Sequence, residues 1–385
     1  MSALPRTADV LVIGGGIVGC AAAYHLAAAG AGRVVLLERE DAVGRGSTGA
    51  CAGGFRHQFT TEVNVRLSQA SVPMILGFEE AHGIPVDVAH DGYLFLVRDE
   101  ATWAGFRRAV DDQRRWGVEV EILDAGAVRD LVPGVAVDDL VGATFGPRDG
   151  IADPGALTQG FATIARDAGV LMATGVGVTA IEMAGDAVRG VATADGRIDA
   201  PAVVLAAGAW SGPLAATAGL DLPIAPVPRT ILTTGPFDGV PPRRTLVIDM
   251  PSTFYFHREA DGVLFGMGGA DIETFDTSVD EAYIADHLLP RALEVFPALA
   301  GAGIRSRWAG LYEMTPDRHP IVGPAPIAGL WVGAGFSGHG FQHGPIVGRL
   351  LAEMIVEGAA RTVDVHALAF DRFARGDLVR EGHVV

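Results

Sequence analysis

Val10-Leu11-Val12-Ile13-Gly14-Gly15-Gly16-Ile17-Val18-Gly19, followed by Arg33-Val34-Val35-Leu36-Leu37-Glu38, is the stretch that decides the fold. An apolar run stops at a glycine turn, an Ala-rich helical stretch follows, and a second apolar run ends in an acid. The order is strand, turn, helix, strand. In such a unit Gly14 makes the tight turn, Gly16 lets the backbone approach a pyrophosphate, and Gly19 lets the helix lie close on the sheet. Unpaired N–H groups and the positive end of the helix dipole favour the phosphates. Glu38, nineteen residues after Gly19, stands where an acid accepts from a ribose 2′-OH. The strands and the acid together make this a dinucleotide site; Gly-x-Gly-x-x-Gly alone would be weak.

Outward from that unit, the chain of 385 residues has room for about two domains. Hydrophobic residues at 49%, 52 glycines and few aromatics fit an α/β protein with many turns. A net charge of −17 with no basic stripe disfavours nucleic acid and anionic membrane as partners. There is no lysine: all 29 basic residues are arginine, which removes Walker, Schiff-base and lysine-base chemistries. Two cysteines, Cys20 and Cys51, make neither a disulfide framework nor a metal cluster, so no metal is expected and a cytoplasmic location fits. The uncharged run from Val10 to Gly32 is interrupted by its glycine turn and His25, against a membrane span or signal peptide.

Downstream, Gly44 to Arg56 is a loop of small residues able to press on a flat ligand. Helices are expected over 63–82, 100–117, 125–132, 154–168 (capped by Asp153), 280–296 and 344–357, the last ending at Gly358. Strands are expected over 92–98, 170–174, 177–183, 188–193, 203–207, several segments of 245–269, 305–311 and 329–334. The proline-rich segments 223–228 and 236–242 read as connections. Glycine turns at both ends of the chain predict a discontinuous Rossmann-like nucleotide domain (1–90, 150–222 and 325–385), with an inserted, mainly antiparallel α+β substrate domain (91–149 and 223–324).

The nucleotide fingerprint combines with Gly46-Ser47-Thr48 before Gly53-Gly54-Phe55-Arg56, and with Ala206-Ala207-Gly208-Ala209-Trp210-Ser211. To these are added Gly310-Leu311-Tyr312-Glu313-Met314-Thr315-Pro316-Asp317-Arg318-His319-Pro320-Ile321-Val322-Gly323 and Gly335-Phe336-Ser337-Gly338-His339-Gly340-Phe341. Over nearly its whole length the chain resembles the D-amino-acid-oxidase-like (DAO) flavoenzymes, in the sarcosine oxidase β-subunit and glycine oxidase branch. The stretch 362–373 also resembles the sarcosine oxidase β-subunit group and a mitochondrial complex I assembly flavoprotein.

The resemblance implies a glutathione-reductase-like fold with FAD in the N-terminal site. It would be held by Gly14, Gly16, Ile17, Val18, Gly19, Glu38, Arg39, Gly46, Ser47 and Thr48. Val178, Ala207, Gly208, Trp210 and Gly310 are expected to join them, with Gly335, Phe336, Ser337, Gly338, His339, Gly340, Phe341 and Gln342 at the flavin ring. Arg56 is the expected carboxylate anchor, since a guanidinium grips an acid with two parallel donors. Tyr255, Tyr312, Gln342 and His339 complete the expected catalytic set. His57, His257, His319 and His343 are further candidates for the pocket, or plain structural hydrogen-bonders.

Three departures from the family pattern matter. A cysteine at Gly310 or a histidine at about Ala50 tethers FAD in some members; neither is present, so non-covalent FAD is expected. A carboxylate-binding lysine is replaced by Gln342. The oxygen-activating lysine falls at about Leu264, so a dehydrogenase is slightly favoured over an oxidase. The expected reaction is oxidation of the C–N bond of a small secondary or N-methyl amino acid (sarcosine, proline or glycine-like) by hydride transfer to flavin. An electron-acceptor protein or partner subunit would then be a partner. A flavin-bearing assembly protein with little turnover and a 2-hydroxyacid dehydrogenase stay open as alternatives.

Overall fold

The computed structural model describes residues 4–383, so the outermost residues of the expected domain ranges lie outside it. A six-stranded sheet runs in the order 321–324, 330–334, 202–205, 10–13, 34–38, 171–174. It is parallel except for the first pair. Its strands come from the first, middle and last parts of the chain. Leu11 stands between Val203 and Val35, and Val10–Ile13 is buried throughout, as a strand covered on both faces must be.

One face is covered by the helices Ile17–Ala28, Pro154–Asp167 and Gly340–Glu357, packed with Val10, Val12, Leu36 and Val204. The first and last of these cross closely. A Cβ on Gly348 would stand 2.5 Å from the Ala22 nitrogen. Leu11, Ile13, Val35 and Leu205 point to the other face, onto a three-stranded antiparallel sheet, 178–184, 187–193 and 196–199. This division follows from the two-residue period of a strand.

The second large sheet has eight strands in the order 304–314, 225–234, 262–266, 254–259, 246–250, 93–97, 142–146, 121–123. It is antiparallel apart from the pair 246–250 and 93–97. The helix Glu100–Arg115, capped by Asp99, packs Trp103 and Phe106 against one face, beside Phe95 and Ile248. Phe254, Phe256 and Phe265 build the core on the other, under Leu288 and Phe296.

Three expectations about elements are corrected. Segment 223–228 is not only a connection: the strand Ala225–Thr234 begins within it. Pro226 and Pro228 face Glu313 and Leu311, while pairing to the strand on the other side starts only at Ile231. A proline with one open side gives up no ladder bond there. The helix expected over 63–82 divides at Gly77 into Glu62–Leu76 and Phe78–His82. The last long helix starts at Gly340, four residues before the expected position, and carries Pro345 inside it. Asp153 does cap its helix, accepting from Gly155 and Ala156 N–H, and Gly358 closes the last one at φ +81°.

Candidate active site

The two large sheets meet at a cavity of about 380 Å³. Its floor is the first strand–helix turn. The Gly14 backbone lies so close to Ala206 that a Cβ there would stand 2.4 Å from the Ala206 oxygen. A Cβ on Gly19 would come within 1.9 Å of the Gly14 oxygen. Gly19 therefore packs the turn and does not line the cavity, whereas Gly14, Gly16, Ile17 and Val18 do. The first helical turn leaves N–H groups without helical partners. A Cβ on Gly16 would meet only the Thr48 hydroxyl, and one on Gly46 would meet nothing within 4 Å. Room for phosphates is preserved by those missing side chains.

Glu38 lies at the end of its strand with both carboxylate oxygens held by backbone, Gly15 N–H at 2.6 Å and Glu40 N–H at 2.8 Å. This fixes the carboxylate beside the turn, where a ribose hydroxyl would donate to it. Arg39 stacks 3.6 Å above the Trp210 ring, and both line the cavity with Val178, Ala207 and Gly208. Ser47 and Thr48 line it too, yet their hydroxyls already work within the protein. Ser47 donates to the Leu311 carbonyl at 2.6 Å, and Thr48 accepts from Ile17 N–H at 3.3 Å.

At the opposite end, Gly310, Phe336, Gly338, His339, Gly340, Phe341 and Gln342 line the cavity. Gly335 and Ser337, expected at the flavin, lie behind it. Gly335 N–H donates to Glu313 at 2.7 Å, and Ser337 is fully buried against Glu313 and Thr315. The loop has to turn sharply, with Gly335 at φ +82° and Gly338 at +98°, and alternate residues then face inward to brace it.

Arg56, Tyr255 and Tyr312 line this end, joined by Tyr93 and Arg229. Arg56 is 4% exposed. Its guanidinium donates to the carbonyls of Gln58 (2.7 Å) and His383, and its carbon lies 4.1 Å from the Phe59 ring centre. Among the described residues no carboxylate forms an ion pair with it. Other arginines with little exposed side chain behave differently. Arg98 is paired with Asp249, and Arg372 with Asp317 at 2.7 Å. Arg229 is paired with Asp271.

Gln342 is corrected from substrate contact to scaffold. Its oxygen accepts from Arg56 N–H at 2.9 Å. Its amide nitrogen faces the Arg56 carbonyl (3.3 Å), Ser68 (3.2 Å) and His343 (3.0 Å). No amide proton is left for a ligand. His339 lines the cavity with Nδ1 2.9 Å from the Phe336 carbonyl. Burial, then Arg56, lowers its pKa to about 3, so the ring is neutral. His257 is buried against the Ala52 and Arg258 carbonyls, and burial lowers it to about 4. It pairs with Leu264 across the sheet. His319 bonds Thr61, His343 bonds Ser68, and His57 bonds Asp149; all three are structural contacts.

Burial raises the phenols of Tyr93, Tyr255 and Tyr312, keeping them neutral donors. Burial also raises Glu313 to about 7, against the Gly335 and Phe336 N–H groups that favour its charged form. The sequence reading missed Tyr93, Arg229 and Glu313. Glu313 sits inside a quoted motif, next to Tyr312, and the alternation of the strand could have placed it. Tyr93 and Arg229 carry no comparable local signal.

A phosphate-ready glycine turn, an acid for ribose, a second glycine loop at a helix start and an apolar pocket with a buried arginine define a dinucleotide-cofactor oxidoreductase. The family model for FAD dependent oxidoreductases (DAO) matches residues 9–354, and the chain belongs to that family. It is 30% identical to FAD-dependent oxidoreductase domain-containing protein 1 of Bos taurus, over 98% of this chain and 87% of that protein. It is also 30% identical to mitochondrial sarcosine dehydrogenase of Mus musculus, over 96% of this chain but 42% of that longer protein. Among solved structures, L-proline dehydrogenase from P. horikoshii aligns with a TM-score of 0.91 and 31% identity, covering 98% of this chain and all of that one. Glycine oxidase from Geobacillus kaustophilus aligns at 0.85 and 27%, covering 96% and 99%. The cofactor is FAD. No helix among the described residues is long and apolar enough to cross a membrane.

Proposed function

We propose that this protein oxidises the C–N bond of a small secondary or N-methyl amino acid, with the six-stranded sheet and its helices holding FAD and the eight-stranded sheet shaping the substrate pocket. The observation that carries the reading is the buried guanidinium of Arg56, which no carboxylate touches among the described residues. A buried cation is costly unless paired. Two carbonyl acceptors and a ring face hold it; the Glu381 carboxylate feels its charge without an ion pair to it, so a substrate carboxylate would be its first direct partner. The relatives that act on sarcosine and proline, by their names, point the same way.

FAD, when bound, supplies a two-electron acceptor. Arg56 orients the acid so that the α- or N-methyl C–H points along the cavity. The amine reacts as the free base, because its lone pair forms the C=N bond as hydride leaves. Water then hydrolyses the imine to a carbonyl compound and an amine. Neutral His339 has an Nε2 with no partner among the described residues, an acceptor for the amine N–H. The experiment is anaerobic reduction of the holoenzyme by sarcosine, proline and glycine. Loss of the flavin absorbance with any one is expected; none with all three removes the reading.

The dehydrogenase form is favoured over the oxidase. By the resemblance, the oxygen-activating lysine falls at about the apolar Leu264, so charge developing on reduced oxygen lacks that particular cation. Turnover should be faster with an artificial dye than with oxygen; equal rates would decide for an oxidase.

A further inference from the structure

Residues 381–383 reach the guanidinium of Arg56, behind the substrate end of the cavity, from far along the chain. Glu381 is 5% exposed. One of its oxygens accepts from Thr60 N–H (2.8 Å), the Thr60 hydroxyl (2.6 Å) and His383 N–H (3.0 Å). The other accepts from the Thr61 hydroxyl (2.8 Å) and the Asn64 amide (3.2 Å). Gly382 N–H closes the arrangement on the Thr60 oxygen at 2.7 Å. Thr61 is the residue before the helix Glu62–Leu76, and its hydroxyl serves Glu381 instead of capping that helix. The carboxylate thus sits at the positive end of a helix dipole. Those donors outweigh burial, with His383 and Arg56 adding to them, and hold Glu381 below the usual carboxylate range.

His383 continues the connection. Its carbonyl accepts from the Arg56 guanidinium, and its ring stacks on Phe106 at 4.0 Å and 17°. Phe106 belongs to the helix packed on the eight-stranded sheet. Three residues therefore join the start of one helix, the guanidinium and a helix behind the other sheet. A bidentate grip needs the fork held in one plane, and one of the two carbonyls that fix this fork is that of His383.

We propose that segment 381–383 is a clasp that positions Arg56 to receive a carboxylate, with Glu381 and His383 as positioning residues. This rests on the reading of Arg56 as the carboxylate anchor. Without the clasp one N–H of the fork loses its acceptor and the guanidinium is free to turn, so ligand binding must supply the ordering.

The test uses acetate, the smallest carboxylate probe, titrated into the FAD-loaded protein and read by the flavin absorption spectrum. Glu381→Ala releases one end of the clasp and Phe106→Ala the other. Each should weaken acetate binding by roughly tenfold, with KM for a reducing amino acid rising by about as much and kcat falling far less. Acetate should also slow hydrogen exchange at residues 381–383 in the unaltered protein. Acetate binding within about twofold of the unaltered protein in both variants overturns the clasp. If the variants lose FAD, unchanged exchange at 381–383 under saturating acetate overturns it. No response to acetate in the unaltered protein overturns both the anchor and the clasp. Acetate binding that depends on Glu381, with no bleaching by any amino acid, keeps the clasp and removes only the proposed reaction.

Discussion

Arg56 and Gln342, 286 residues apart, are joined by reciprocal hydrogen bonds. Arg56 N–H donates to the Gln342 side-chain oxygen at 2.9 Å, and the Gln342 amide faces the Arg56 carbonyl at 3.3 Å. The side chain of one sits on the backbone of the other, as a strand neighbour would. The loop carrying the guanidinium is thereby fixed to the helix Gly340–Glu357, whose first turn lines the flavin end of the cavity. Gln342→Ala would leave a buried N–H without an acceptor, at a cost of about 1–3 kcal/mol. The expected outcome is a lower unfolding midpoint together with a higher KM, measured by urea titration and steady-state kinetics. A change in KM alone, with stability intact, would instead return Gln342 to direct substrate contact.

Arg56 itself should not tolerate its nearest substitute. Lysine keeps the charge but has no planar fork, and it cannot serve the Gln58 and His383 carbonyls and a ligand together. Arg56→Lys is expected to cost about 2–5 kcal/mol of carboxylate binding, read as a matching loss in kcat/KM. Retention of near-normal kcat/KM would show that another group holds the acid.

Glu313 should give the fold a pH dependence in a definite direction. Burial raises its carboxyl from 4.5 to about 7. Between those values the folded state holds a proton that the unfolded chain has released. Stability from this group is therefore full below about 4.5 and is lost as pH rises through 7. Comparing urea unfolding of the protein and of Glu313→Gln across this range should give a difference that narrows as pH falls. A difference independent of pH would mean that Glu313 is ionised throughout.

FAD should leave the protein on denaturation. Gly310 and Ala50, where some family members carry tethering side chains, face each other, so that a Cβ on Gly310 would lie 2.7 Å from that of Ala50. Neither offers a nucleophile. Cys51 next to them is a poor one, since burial raises its thiol to about 11 and the thiolate is the reactive form. Acid precipitation should put the yellow colour in the supernatant; colour kept in the pellet would implicate Cys51.

Local chemistry made the nucleotide half readable from the sequence. Gly14, Gly16, Gly19 and Glu38 act within one strand–helix–strand unit, where spacing along the chain is nearly spacing in space. The same holds for Asp153 and Gly358, whose capping work is done within a few residues. Sequence also determined the family, the cofactor and Arg56 as a cavity residue. Tertiary structure decided what the side chains at the substrate end do. Gln342 reads as a ligand donor until Arg56, Ser68 and His343 are seen to use up its amide. Gly335 and Ser337 read as flavin contacts until the turn directs them onto Glu313. Arg56 has an arginine's chemistry anywhere, but its freedom to take a ligand depends on residues 58, 59 and 383 enclosing it and on Glu381, the carboxylate within its field, being held by Thr60, Thr61 and Asn64 instead. Charge balance in a buried site is a property of everything packed around it, so it emerges only when distant segments meet.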